Sequence, residues 1–309
     1  MPATTRRAVL TAGLGMVSAP LTGCRTDDPV VDRLVVAGGE PGGTLIRLSR
    51  LIAGELLRQG VVGHAPVDLT QGSVENLDRL RAGKADVALS HADVAVTSGH
   101  GLVAIARAYQ TMLHCLVRAE DGVSGPEELV GRRVAIGPVR SGTAETATRL
   151  LRTLGAEDRG GSWVHATPAN GAIMLGGGTV DAMFWWGGLP APEIRSVGAV
   201  RPFRALDLSS LVGPANTHVD GVYDNVRLPG SVYGQEDVRT IGVGCFLMCR
   251  SDLPDPMVAA LVDLVIDSGR ALVPQPLNGL RYLLPGTLFD TTPVALHPAA
   301  AARYRERHR

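Results

Sequence analysis

Two kinds of hydrophobic pattern alternate along residues 33–185. Short apolar runs that predict β-strands, such as 33–38 and 85–91, are each followed by a segment with apolar residues every three or four positions. The second pattern predicts amphipathic helices, of which 43–60 and 144–155 are the clearest. Because strands that alternate with helices usually pair in parallel and are covered by those helices, the pattern predicts an α/β fold.

The pattern changes towards the C-terminus. Residues 200–235 are rich in glycine, proline and asparagine and predict irregular structure. After them, 239–250 predicts a strand and 255–269 an amphipathic helix. The long apolar segment 102–119 is predicted to contain at least two strands.

Two predicted strand-to-helix turns, at Gly38–Thr44 and at 138–143, are rich in glycine or small residues. Such a turn attracts an anion because free backbone N–H groups lie at the positive end of the helix dipole. The first turn has the glycine spacing of a Walker loop, but Thr44 follows Gly43 directly and the lysine is missing. Glu40 stands where a dinucleotide fingerprint needs its second glycine. The turn therefore predicts an anion smaller than a nucleotide.

The two turns lie about a hundred residues apart. The simplest arrangement gives each turn its own lobe, so that the two face each other across a cleft. A chain that leaves one lobe, builds another and returns needs two crossing segments. The apolar runs 113–118 and 240–249 are the candidates for these crossings.

The first residues carry an export pattern. Arg6 and Arg7 precede an uncharged, mostly apolar run from Ala8 to Pro20, which is shorter than the roughly 20 residues of a membrane-spanning helix and typical of a signal peptide. Leu-Thr-Gly-Cys24 resembles a lipobox, and the paired arginines resemble a twin-arginine signal, with the general export route left open. The sequence predicts an extracytoplasmic protein, anchored to the cell membrane through lipidated Cys24 after removal of the signal peptide.

Charge and cysteine content narrow the classes of function. A formal net charge of zero over 309 residues argues against a nucleic-acid-binding surface. Cys115, Cys245 and Cys249 lie in apolar, strand-like runs. Export permits a disulfide, but an odd number of cysteines without tight spacing favours buried free thiols. No metal ion or other cofactor is expected.

Five segments then follow one another in a characteristic order: GGEPGGT at 38–44, and 71–89, 113–151, 180–192 and 228–255. In this order they resemble the TAXI-type solute receptors of tripartite ATP-independent periplasmic (TRAP) transporters. The resemblance covers nearly the whole mature chain. It implies an α/β, two-lobed, type II periplasmic-binding-protein fold with a ligand cleft between the lobes.

The resemblance also implies a function. Such a receptor closes on a small organic anion, a glutamate-like amino acid or a dicarboxylate, and delivers it to the permease subunits of a TRAP transporter. Leu45 and Ile46 stand where many members have two tyrosines, so a standard glutamate site is not assumed. The implied division is a signal peptide at 1–23, a tether at 24–32, the first part of lobe 1 at 33–114, lobe 2 at 115–240, and the return strand with the rest of lobe 1 at 241–309.

Candidate ligand contacts come from both turns. The backbone N–H groups and hydroxyls of these turns can hold one or two carboxylates, with ordinary helix capping as the alternative. These residues are Gly42, Gly43, Thr44, Ser141, Gly142 and Thr143. Further side chains are candidates for hydrogen bonds, a fixed positive charge or an apolar wall, with capping, surface exposure or core packing as the alternatives. These are Ser73, Asn76, His91, Arg140, Trp185, Trp186 and Tyr233.

Two other functions stay open. A sensor would use the same two-lobed closure but present the closed form to a signalling partner. An extracytoplasmic hydrolase is disfavoured, because Gly-x-Ser-x-Gly, His-Glu-x-x-His and a suitably placed Ser-x-x-Lys are missing from the sequence. Catalytic triads assemble in space, so this absence disfavours an enzyme without disproving it.

Overall fold

The computed structural model describes residues 30–188, 192–269, 271–272, 281–282 and 285–308. The strands of this part are β1 (Val31–Arg33), β2 (Val36–Gly39), β3 (Val62–His64), β4 (Val67–Leu69), β5 (Val87–His91), β6 (Leu102–Arg118), β7 (Arg133–Ala135), β8 (Ser162–Val164), β9 (Ala182–Gly187), β10 (Phe203–Ala205), β11 (Tyr223–Leu228), β12 (Val238–Arg250) and β13 (Arg281–Tyr282). The helices are α1 (Thr44–Arg58), α2 (Ser73–Arg81), α3 (Ala92–Ser98), α4 (Gly142–Thr153), α5 (Pro168–Gly176), α6 (Pro192–Gly198), α7 (Ser209–Asn216), α8 (Asp255–Asp267) and α9 (Pro298–Arg307).

A mixed sheet forms the centre of the molecule. Its main strand order is β4-β2-β5-β12-β6-β9-β7-β8. The strands β4, β2 and β5 pair in parallel at one end, as do β9, β7 and β8 at the other. Between them, β12 pairs antiparallel with β5 and β6, and β6 pairs antiparallel with β9. The predicted parallel α/β arrangement is thus confirmed at both ends of the sheet.

Two long strands join the two halves of this sheet. We call lobe 1 the part with β1–β5, α1–α3, α8 and α9, and lobe 2 the part with β7–β11 and α4–α7. Strands β6 and β12, of 17 and 13 residues, run through both lobes and contain the predicted crossing segments. The predicted boundaries after residues 114 and 240 fall inside these strands and stay predictions.

Two predictions about secondary structure are wrong. The segment 102–118 is one strand, because it pairs with β12 over its first part and with β9 over its last. The segment 200–235 is not irregular but contains β10, α7 and β11. Strand β11 forms because it pairs with β12 from Tyr223 to Leu228, although its exposed polar residues lack a strand pattern. Helix α7 contains Pro214, which the sequence presents as a helix breaker.

Helices α1 and α4 begin at the two turns singled out by the sequence. In α1, Leu48, Ile52 and Leu56 recur every four residues and are buried against the sheet. Within the described residues, no side chain caps its N-terminus. Helix α4 is capped by Ser141, whose Oγ accepts the N–H of Ala144 at 3.1 Å. The N-terminus of α1 is therefore left without a side-chain acceptor among the described residues.

The cysteines agree with the sequence interpretation. Cys115 on β6, and Cys245 and Cys249 on β12, are buried free thiols. Cys24 and the predicted signal peptide lie outside the described residues. In the part of the chain that the structure describes, no helix has the length and apolar character needed to cross a membrane.

Candidate functional site

The glycine-rich turns of the two lobes face each other. A β-carbon placed on Gly142, the first residue of α4, would lie 2.5 Å from His91 Nδ1 and 2.9 Å from Ser73 Oγ of lobe 1. A β-carbon on Gly72 would lie 3.3 Å from Ser141 Cα of lobe 2. The absence of a side chain at these two glycines lets the lobes touch. The structure thus shows the cleft in a closed form.

Two adjoining cavities remain inside the closed cleft. The outer one has a volume of about 250 Å³ and the inner one of about 10 Å³. Both cavities are lined by Glu40, Thr44 and Trp186. The outer cavity is also lined by Gly42, Gly43, Arg47, Thr167, Pro168 and Trp185. The inner one is also lined by Leu45, His91, Thr111, Ser141, Gly142 and Thr143. The inner cavity has room for about one water molecule, whereas the outer one has room for a small metabolite.

Two buried polar atoms at the inner cavity lack a partner. His91 is 5% exposed and Thr111 is 1% exposed. Neither His91 Nδ1 nor Thr111 Oγ1 has a hydrogen-bond partner among the described residues. Because an unsatisfied buried polar group costs about 1–3 kcal/mol, such groups usually have a partner in native proteins. A ligand group or a water at the inner cavity would supply it.

His91 is uncharged at neutral pH. Burial lowers the pKa of its imidazole to about 4, although the negative charge of Asp93 opposes the shift. A neutral imidazole can donate or accept a hydrogen bond. His91 thus offers a hydrogen bond at the inner cavity rather than a positive charge.

Arg47 supplies positive charge to the outer cavity. It lies one turn after Thr44 in α1, so the two side chains share one face of the helix. It forms no ion pair with any described residue within 4.0 Å, and it lines the cavity together with Trp185 and Trp186. Arg47 was not among the residues predicted from the sequence, although its spacing of three from Thr44 is a usable signal. Thr111 was also missed, because nothing within strand β6 marks it.

Arg140 does not supply this charge, and its position agrees with surface exposure, the alternative that the sequence left open. Its backbone has a positive φ of 62°, and its guanidinium pairs with Asp78 of α2 at the rim of the two lobes. Both side chains are about half exposed, at 48% and 43%. Arg140 therefore bridges the lobes from outside the cavities.

The hydroxyl groups of Ser141 and Ser73 form hydrogen bonds within the protein. Besides capping α4, Ser141 Oγ donates to the carbonyl of Pro138 at 2.7 Å. Ser73 Oγ accepts the backbone N–H of His91 at 3.2 Å. Ordinary capping thus accounts for the Ser141 hydroxyl, while the backbone of α4 and the Thr143 side chain stay at the inner cavity.

Asn76 has a supporting position. Its side chain is fully buried, accepts a hydrogen bond from Thr70 Oγ1 at 2.6 Å, and donates to the carbonyls of Gly38 and Leu89. These bonds tie α2 to strands β2 and β5. Asn76 therefore fixes the glycine-rich turn from behind and does not face the cleft.

The adjacent tryptophans form one wall of the outer cavity. Trp185 and Trp186 both line it at the end of β9. The Trp186 indole N–H donates to Thr146 Oγ1 at 3.1 Å, and its ring lies 5.3 Å from that of His91. These contacts position the Trp186 ring, and the centroid of the Trp185 ring lies 4.4 Å from that of His114. The two indoles form an apolar surface on which a carbon chain can pack.

Tyr233 lies outside the cleft, contrary to the expectation from the sequence. Its hydroxyl lies 2.8 Å from His114 Nδ1, and it lines a separate pocket with Phe203 and Ile194. His114 Nε2 lies 3.2 Å from the Gly187 carbonyl, which can only accept a hydrogen bond. The proton of neutral His114 therefore resides on Nε2, and Tyr233 donates to Nδ1.

His114 predicts a specific pH dependence of stability. Burial lowers its pKa to about 3, against about 6.5 in the unfolded chain, and the Gly187 hydrogen bond opposes this only in part. Between these values the unfolded state binds a proton that the folded state does not, so stability is lost as the pH falls below 6.5. The expected slope is about 1.4 kcal/mol per pH unit. His91, whose pKa is also lowered, adds a slope of its own. Urea unfolding at pH 7, 6 and 5 should therefore show the slope reduced by about 1.4 kcal/mol per pH unit in His114→Gln and unchanged in the exposed control His218→Gln. Equal slopes in all three proteins would contradict the assignment.

Asp93 connects the two lobes beneath the inner cavity. This carboxylate of α3 is fully buried. Its Oδ2 accepts hydrogen bonds from Thr146 Oγ1 at 2.6 Å, from the Arg149 guanidinium at 3.0 Å and from the Tyr223 hydroxyl at 2.7 Å, all in lobe 2. Since Thr146 also accepts the Trp186 indole N–H, this network joins the tryptophan wall to lobe 1.

Several solved structures are similar to this chain in overall fold. Similar solved structures include XAC2383 from Xanthomonas citri bound to ATP, with 14% identity and a TM-score of 0.50, covering 90% of this chain and 98% of that one. The periplasmic aliphatic sulphonate binding protein SsuA from Escherichia coli has 14% identity and a TM-score of 0.46, covering 90% and 79%. An arginine transport periplasmic binding protein from Legionella pneumophila has 11% identity and a TM-score of 0.45, covering 77% and 95%.

At 14% identity and a TM-score of 0.50, the likeness to XAC2383 concerns the fold alone. A family model makes the more specific match. The NMT1-like family model matches residues 39–307, from the first glycine-rich turn to the end of α9. This match spans most of the 309 residues and includes both sides of the cleft. The chain belongs to the NMT1-like family.

Proposed function

We propose that the protein is an extracytoplasmic receptor that closes its two lobes around a small organic acid. The observation that carries this proposal is the inner cavity, where His91 Nδ1 and Thr111 Oγ1 are buried without a partner among the described residues. These atoms lie beside the N-termini of one helix from each lobe. A ligand in the outer cavity that places one polar group there contacts both lobes at once and so stabilises the closed form.

The cleft can hold an acid in a defined orientation. Arg47 and the uncapped first turn of α1 attract a carboxylate to the outer cavity. Trp185 and Trp186 contact the carbon skeleton. Helix α4 then completes the site from lobe 2. A cavity of about 250 Å³ suits a ligand of amino-acid size.

The finer proposal concerns the transport system. The five ordered motifs favour a TAXI-type receptor of a TRAP transporter, and the Leu-Thr-Gly-Cys24 segment favours lipid anchoring outside the cytoplasmic membrane. The receptor would deliver a glutamate-like amino acid or a dicarboxylate to membrane permease subunits. A sensor would use the same closure, so the neighbouring gene distinguishes the two functions: a permease gene supports transport, and a histidine-kinase gene supports sensing.

A thermal-shift screen against amino acids, monocarboxylates and dicarboxylates tests the receptor proposal. A ligand at one hundred times its dissociation constant adds about 2.7 kcal/mol to the free energy of unfolding, which gives a clear rise in melting temperature. If no compound of the panel raises the melting temperature of the wild-type protein, the proposed function is wrong.

Arg47→Gln tests the ligand orientation. Loss of a charge-assisted hydrogen bond worth about 1.5–3 kcal/mol should weaken binding roughly tenfold to hundredfold. Arg50→Gln is the matched control, because Arg50 lies in the same helix but is exposed and lines neither cavity. Isothermal titration calorimetry measures both variants. Equal affinities of Arg47→Gln and Arg50→Gln would remove Arg47 from the site.

A further inference from the structure

We propose that Glu40 is the acceptor for a cationic group of the ligand, so that the cleft selects zwitterionic amino acids over dicarboxylates. This inference rests on the proposed receptor function and deepens it. In the sequence, Glu40 only excludes a dinucleotide site. The structure places it among the residues that line both cavities.

The Glu40 carboxyl group lies close to the first residues of two helices. A β-carbon on Gly43 would lie 3.0 Å from Glu40 Oε1, and one on Gly72 would lie 3.5 Å from Glu40 Oε2. The carboxyl group therefore lies between the N-terminal turns of α1 and α2, next to the point where Ser141 of lobe 2 meets Gly72. A ligand in the outer cavity contacts this carboxyl group as the cleft closes.

Glu40 has no ion-pair partner in the described part of the chain. Within 4.0 Å, no arginine, lysine or histidine among the described residues forms an ion pair with it, and Arg47 lines the same outer cavity without pairing to it. Burial raises the pKa of Glu40, partly opposed by a hydrogen bond from its own backbone N–H. A ligand cation would reverse this penalty by favouring the ionised carboxylate.

The two unpaired charges in the outer cavity define the chemistry of the ligand. Arg47 is complementary to a carboxylate, and Glu40 is complementary to an ammonium group. An α-amino acid carries both groups on one carbon. A dicarboxylate, in contrast, presents a second negative charge where Glu40 already places one, and like charges close together in a buried site repel each other strongly.

Matched pairs of compounds test this inference by calorimetry. The twenty amino acids are titrated beside their analogues that lack the amino group, for example L-glutamate beside glutarate, into the wild-type protein, Glu40→Gln and Glu236→Gln. Glu236 is exposed and lines none of the described cavities, so its variant controls for the loss of one carboxylate. Melting temperatures without ligand show that the variants are folded.

At least one pair of an amino acid and its analogue is expected to bind. In the wild type and in Glu236→Gln, we expect the amino acid of that pair to bind at least tenfold more tightly than the analogue. In Glu40→Gln, we expect the amino acid to lose at least tenfold in affinity and the preference to vanish or reverse. Equal affinity of the wild type for both members of the pair, or an unchanged preference in Glu40→Gln, would overturn the role of Glu40 while leaving the receptor function intact. Absence of binding by every compound to the wild type would overturn the receptor function, and this inference with it.

Discussion

Gly142→Val is expected to reduce ligand affinity at least hundredfold while both lobes stay folded. Even a β-carbon at this position would lie 2.5 Å from His91 Nδ1 and 2.9 Å from Ser73 Oγ, so a valine side chain holds the two lobes apart. An affinity loss of this size corresponds to about 2.7 kcal/mol, which is well within the cost of overpacking a close contact. Calorimetry with the strongest ligand of the screen measures the loss.

Gly213→Val is the matched control for this variant. Gly213 lies in α7 of the same lobe, is exposed, and has no atom within 4 Å of its β-carbon position. This variant should bind like the wild type. Wild-type affinity in Gly142→Val would show that ligand binding does not need the contact between α4 and His91.

Asp93→Ala is expected to lower the free energy of unfolding by about 3–5 kcal/mol. The substitution removes a fully buried carboxylate and leaves the Arg149 guanidinium, whose side chain is only 13% exposed, without its counter-ion. It also removes the acceptor of the Tyr223 hydroxyl, and it leaves the Thr146 hydroxyl with the Gly142 carbonyl at 2.9 Å as its acceptor. Urea unfolding at neutral pH measures the change.

Two further variants show whether the buried charge causes this loss. Asp78→Ala breaks the ion pair between Asp78 and Arg140. Both of these side chains are about half exposed, so the substitution should lower the free energy of unfolding by only about 0–1 kcal/mol. The double variant Asp93→Ala/Arg149→Met removes both buried charges and should recover much of the loss. Similar costs for Asp93→Ala and Asp78→Ala would contradict the proposed importance of the buried network.

The fold follows from the sequence where local pattern decides the structure. The apolar spacing of α1, the strand β5 and the Ser141 cap of α4 all reflect contacts between residues near one another in the chain. The local pattern does not predict the secondary structure of segments whose conformation depends on pairing with a distant strand. Strand β11 owes its conformation to β12, and β6 is continuous because different partners cover its two parts.

Of the candidate site, only the backbone turns could be predicted from the sequence. The sequence identifies the two glycine-rich turns because glycines and helix starts have a local signal. The direction of a side chain depends on partners that are distant in the chain, so Arg140 turns to Asp78 and Tyr233 to His114. Glu40 enters the cleft for the same reason: the fold brings α2 and lobe 2 to its carboxyl group.

The measurement that tests the central claim most directly is the tryptophan fluorescence of Trp163→Phe during titration with the strongest ligand of the screen. The sequence has three tryptophans, and this substitution leaves only Trp185 and Trp186, which line the outer cavity. Binding in the cleft predicts a saturable change in emission with the same dissociation constant as calorimetry. A ligand that raises the melting temperature but leaves this emission unchanged would show that the protein binds it elsewhere, and would contradict the account.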